Sequence, residues 1–219
     1  MNKKHLPFSK MNADNTAFLI IDVINSSAHE ACEIPEWGIR FSKIRAMVPR
    51  LNRFVQEYRG KIGGLLIFGT TVPWRKEYVG ENVNELYEDK RFVYYSKDAS
   101  GFPEQFYGIQ PQESDIIVDK KNNDAFSNPK LVKKLEEKGI KYIIVAGAFT
   151  DACVLASVVG GFSRGYNMVV LQDLVETTDM QKRQNIQKEL LEFTFPYLFA
   201  RVIFSGELLE GWGNSLTAR

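Results

Sequence analysis

Histidine and cysteine are scarce in this chain: His5, His29, Cys32 and Cys153 are all there are in 219 residues. Two cysteines make no disulfide framework. Two histidines are a poor stock for a zinc site, which wants three or four ligands. His29 and Cys32 are spaced like two ligands on a turn, but no third follows, so no metal and no cofactor are expected. An excess of either charge is also missing. Lys and Arg total 28 against 27 Asp and Glu, a net charge of +1, and neither sign is blocked. That leaves no basic footprint for nucleic acid or an anionic membrane. No window approaches the ~18 uninterrupted apolar residues of a membrane helix. MNKKHLPFSKMNADNT has no apolar run behind its lysines, so it does not read as a signal peptide. A reducing cytosol is the expected setting, and there a free thiol can do chemistry. With no repeat, low-complexity tract or linker, residues 1–219 read as a single domain.

What is present is an alternation of two hydrophobic periods. Ala17–Asp22 (AFLIID), Gly64–Thr71, Asp115–Asp119, Lys141–Gly147, Asn167–Asp173 and Ala200–Phe204 are short apolar runs rich in Ile and Val. Lacking polar alternation, they read as strands covered on both faces. Between them Phe41–Tyr58, Pro129–Lys138, Asp151–Arg164 and Met180–Pro196 read as helices. Ile44, Val48, Leu51 and Val55 share one face of the first. The implied fold is a three-layer α/β/α sandwich around a mainly parallel, roughly six-stranded sheet. The rhythm breaks at Val72–Ser114, an aromatic-rich stretch with little periodicity and one short strand expected near Phe92–Tyr95. Long irregular segments of this kind often serve as lids.

Ligands of open parallel sheets sit beyond the carboxyl ends of the strands. Asp22 ends the first run, Asp119 and Lys120 end the third, and Cys153 follows the fourth at the start of a helix. Cys153 lies in GAFTDACV (Gly147–Val154), with Thr150 or Asp151 as candidate N-cap. Unpaired N–H groups and the positive helix end favour a thiolate there and can hold an oxyanion. A lone cysteine is otherwise most often a small buried hydrophobe. Asp22, taken alone, reads as a strand-end carboxylate capping a turn, yet desolvation would raise its proton affinity towards that of a general base. Lys120 and Lys121, taken singly, read as solvated charges. A lysine beside a carboxylate and a thiol would stabilise both anions.

These residues resemble the isochorismatase-like cysteine hydrolases, which include nicotinamidases, N-carbamoylsarcosine amidohydrolases and ureidoacrylate hydrolases. The resemblance covers about residues 15–205. It rests on FLIID at Phe18–Asp22, on KKNNDAF beginning at Lys120, and on G-x-x-T-D-x-C-V at Gly147–Val154. It implies Asp22 as base, Lys120 and not Lys121 as the cation, and Cys153 as nucleophile of a thioester mechanism. It also implies a cis peptide at Ala148–Phe149, with the N–H groups of Phe149 and Cys153 as oxyanion donors, and a homo-oligomer, dimer or tetramer.

The match has gaps. Nicotinamidases hold zinc through D-x-H after the second strand, where this chain reads GTTVPWRKEY. Many members read D-x-Q-x-x-F in the first motif, where this chain has Ile24 and Ser27. Phe126, Trp74 and tyrosines of the 72–114 stretch are candidates for the missing pocket walls. The expected activity is metal-free hydrolysis of a small amide, ureido or carbamoyl compound. An isochorismatase-type vinyl-ether hydrolase and a catalytically silent ligand-binding member are the alternatives. Cys153 argues against the former, and an intact Asp, Lys and Cys against the latter.

Overall fold

The computed structural model describes residues 7–71, 80–88, 96, 97, 99 and 101–217. Six parallel strands form one sheet: β1 (Thr16–Ile21), β2 (Leu65–Thr71), β3 (Ile116–Lys120), β4 (Tyr142–Ala148), β5 (Asn167–Glu176) and β6 (Ala200–Ile203). Their order is β3-β2-β1-β4-β5-β6. The chain winds outward one way from β1 to β3, then returns past β1 to β4 and winds the other way. The reversal lies between β1 and β4, where an open α/β sheet presents its crevice.

The strands are apolar because both faces are covered. Along β1, Phe18 and Ile20 pack into one core with Ile44, Met47, Leu51 and Phe54 of helix α2 (Ser42–Glu57). Ala17, Leu19 and Ile21 pack into the other, with Leu131 and Leu135 of α4 (Pro129–Glu137) and Val158 of α5 (Leu155–Ser163). The three-layer sandwich read from the apolar runs is the fold observed.

Several elements were not foreseen. A short helix, α1 (Asn25–Ala28), follows β1, and α3 (Glu81–Glu88) falls inside the stretch read as irregular. A terminal helix, α7 (Ser205–Thr217), follows β6 and buries Leu208 and Trp212. The helix expected at Met180–Pro196 is α6 (Gln181–Glu189), continued as a π-helical run Leu190–Phe199. The strand expected near Phe92–Tyr95 lies outside the described residues. Among the described residues, no helix is long and apolar enough to cross a membrane.

Candidate active site

Asp22 is the first residue past β1 and turns the chain at once. Its φ of 47° lies in the left-handed region, which aspartate tolerates better than most residues. Its N–H donates to Gly69 O at 2.8 Å, and the Ser27 hydroxyl donates to its carbonyl. Gly147, on the neighbouring strand, has φ +116°, and a Cβ there would stand 2.0 Å from Ile21 O. Only glycine lets β4 come this close to the Asp22 turn.

Lys120, the last residue of β3, lies across β2 from Asp22. The edge strand alternates, with Val118 and Lys120 inward and Ile117 and Asp119 exposed. Lys120 is therefore buried to 1% exposure, whereas Lys121 points to solvent. The Lys120 ammonium donates to Asp22 Oδ2 at 2.7 Å and to Thr71 Oγ1 at 2.5 Å. Thr71 in turn donates its N–H to Asp22 Oδ1 at 2.8 Å and its hydroxyl to the same atom at 3.1 Å. Thr71 pairs in register with Lys120 across β2 and β3, and it binds the two charges into one network. Burial alone would push Lys120 down; the charges of Asp22 and Cys153 outweigh it and hold its pKa above the ordinary value.

Cys153 lies on the turn after β4. The Ala148–Phe149 peptide is cis, as the resemblance implies. A π-helical turn, Thr150–Val154, then leads into α5. The Cys153 side chain faces the charged pair, and its thiol also donates to Asn123 Oδ1 at 3.5 Å. Burial is the largest influence on that thiol, and with the Asp22 carboxylate it raises the pKa well above 9.0 against the opposing pull of Lys120. A thiolate stabilised by the helix start was the expectation. Burial and the neighbouring Asp22 carboxylate oppose it, since both disfavour the charged form of the sulfur. Asp22 is the carboxylate beside it.

The capping expectation is corrected. Residue Phe149 takes the N-cap position, with no side-chain cap. Thr150 instead donates to Gln187 Oε1 at 2.6 Å, and Asp151 is bound by Arg183 and Thr177.

Phe126, expected as a pocket wall, is 2% exposed and stacks on Tyr166 with ring centroids 5.6 Å apart. A Cβ on Gly161 would touch its ring at 2.9 Å, so its faces are committed to the core under α5. Trp74 lies outside the described residues. Two described parts of the 72–114 stretch reach the same sheet edge. Gly80 N–H donates to Lys121 O at 2.8 Å, and Tyr107 N–H donates to Val23 O at 3.1 Å. Ile24, where many members have Gln, forms a bridge with Phe106, whose ring packs edge-on against Phe68.

β2 ends in Thr70 and Thr71, and among the described residues no group of three His, Cys, Asp or Glu is placed to hold a metal ion. Nδ1 of His29 accepts the Ala31 N–H at 3.1 Å, and its ring packs on Phe102.

Three residues of the site escaped the sequence reading. Thr71 ends an apolar run without a distinguishing pattern, and its role comes from strand register. Asn123 sits inside KKNNDAF and was within reach of that motif. Arg183 lies in a helix with no apolar face to orient it.

A sheet of this order gathers a carboxylate, an ammonium and a thiol at its reversal point, where open α/β sheets bind their ligands. The isochorismatase domain model matches residues 16–203, and the chain belongs to that family of hydrolases. It is 25% identical over 171 residues, 72% of each chain, to the ureidoacrylate amidohydrolase of Klebsiella pneumoniae. A cysteine hydrolase from Pseudomonas syringae superposes with a TM-score of 0.77 at 20% identity, over 98% of this chain and 100% of that one. N-carbamoylsarcosine amidase from Thermoplasma acidophilum gives 0.62 at 18% identity, over 89% and 97%.

The two cysteines provide an early check. Cys32 is 0% exposed in the core under α2, and Cys153 is 8% exposed at the sheet edge. Iodoacetamide should modify Cys153 first, as read by peptide mass. Labelling of Cys32 at an equal or greater rate would remove Cys153 from consideration as an accessible nucleophile.

Proposed function

We propose that this chain is a metal-independent cysteine hydrolase that cleaves a C–N bond of a small amide, ureido or carbamoyl compound through a thioester on Cys153. The observation that carries the reading is the buried Lys120–Asp22 pair, 2.7 Å apart, set against Cys153 at the carboxyl edge. Asp22 takes the thiol proton as Sγ attacks the carbonyl carbon. The oxyanion is held by the N–H groups of Phe149 and Cys153. The intermediate collapses with cleavage of the C–N bond, and Asp22 passes its proton to the departing nitrogen. Water then enters, gives a proton to Asp22 and adds to the thioester carbon. Cleavage of the C–S bond releases the acid, and the proton returns to sulfur. Lys120 stays charged throughout and lowers the cost of negative charge on Asp22 and Sγ.

A screen of amides, ureas and carbamoyl amino acids for ammonia release tests the reading, with Cys153→Ala as blank. At least one class should be turned over by the parent protein and not by the blank, and EDTA should leave the rate unchanged. Loss of turnover in EDTA, restored by added zinc, would overturn the metal-independent mechanism.

A further inference from the structure

Helix α6 buries no residue of its own, so no apolar stripe holds it in place. Polar contacts do: Gln184 donates to Glu176 Oε1 and Thr178 O, and Arg183 and Gln187 reach the three residues that follow Ala148. Arg183 donates Nε and Nη2 to the two oxygens of Asp151 at 2.6 and 2.7 Å. Its guanidinium also lies over the Phe149 ring, 4.7 Å from the centroid. Gln187, one turn further on the same face, accepts the Thr150 hydroxyl at 2.6 Å and donates to Glu176 Oε1 at 2.8 Å. The Thr177 hydroxyl, on the strand side, donates to Asp151 Oδ1 at 2.5 Å. Phe149, Thr150 and Asp151 are therefore each gripped through their side chains. Cys153 and its amide follow two residues later.

We propose that Arg183 is a positioning residue of the reaction. It touches Phe149 and Asp151 together, and so fixes the orientation of the turn that presents the Cys153 sulfur and amide to the reacting carbon. The inference rests on the covalent reading above. A planar fork suits this task, since it fixes a carboxylate in two dimensions while stacking on a ring. A lysine supplies the charge without the orientation. Arg183 and Asp151 side chains are only 19% and 8% exposed, so the clamp is sheltered from competing water.

Two reactions of Cys153 separate positioning from general support. Acylation by p-nitrophenyl acetate forms an S–C bond at a carbonyl, passes through an oxyanion and expels nitrophenolate. Alkylation by iodoacetamide forms an S–C bond and expels iodide, with no oxyanion. In Arg183→Met the acylation rate should fall about 30-fold, part of what loss of an oxyanion donor costs. The alkylation rate should stay within about threefold, because displacement at a CH2 group makes no demand on the amide. Arg183→Lys should remain at least about tenfold slow in acylation, because charge alone does not rescue the fork. Asp151→Asn, which keeps the shape of the side chain, should show the same split and serves if the Met variant does not fold. Parallel loss of both rates, or loss of neither, would overturn the proposal. Acylation of the Cys153→Ala protein at the parental rate would instead overturn the covalent reading.

Discussion

Replacing Cys153 with alanine should remove hydrolysis and leave the fold in place. The substitution deletes one sulfur from a side chain already 8% exposed, so a stability loss of about 1 kcal/mol is expected. The catalytic loss is of another order. Without sulfur there is no thioester, and what remains is water attack helped by the oxyanion donors. Groups that act as a unit then lose several orders of magnitude in kcat. Stopped-time product assays beside thermal unfolding of the same sample would separate the two effects. Ordinary turnover by Cys153→Ala would end the case for covalent catalysis. Lys121→Ala is the matched control; its side chain is exposed one residue past Lys120, and it should change neither activity nor Tm.

Much of this arrangement was legible because β-strands covered on both faces leave a mark that needs no alignment. The AFLII run, Ala17–Ile21, is apolar throughout since odd and even positions enter different cores. The edge strand carries a finer signal: burial alternates along IIVDK, so period two alone sends Lys120 inward with Val118. That agrees with the choice of Lys120 over Lys121 made on motif spacing. The rest depends on tertiary context. Thr71 becomes part of the site only through its pairing with Lys120, and a register is not written in either strand alone. Thr150 and Asp151 have the chemistry of helix caps, but an arginine 32 residues beyond Asp151 claims its carboxylate instead. The thiolate expectation meets an opposing influence for a related reason, since a helix start favours an anion only where burial does not cost more. The terminal helix was missed because its apolar residues, Leu208 and Trp212, find a partner only once the sheet is assembled.

Breaking the Lys120–Asp22 pair should produce the largest loss of stability of any single change at the site. Both side chains are shielded, at 0% and 6% exposure, so removing one partner strands a charge that water cannot reach. Such a change costs about 3–5 kcal/mol, whereas replacing both partners costs less. Lys120→Met and Asp22→Asn should each lower the urea midpoint more than Cys153→Ala does. The double variant should be more stable than the sum of the two predicts. Additive single effects would show that the two charges do not compensate each other. The pH dependence follows from the directions of the shifts. Cys153 has a folded pKa raised above its ordinary 9.0, and Lys120 one raised above 10.5. In each case the folded state holds its proton more tightly than the unfolded chain. The contribution is therefore complete below the unfolded pKa and is lost as pH rises towards the folded one. Unfolding free energy should begin to fall near pH 9 through Cys153 and steepen above 10.5 through Lys120. Cys153→Ala should lose the first part of that decline and keep the second. An alkaline limb identical in the parent and in Cys153→Ala would mean that the thiol titrates as it does in water, and Asp22 would no longer be needed as its base.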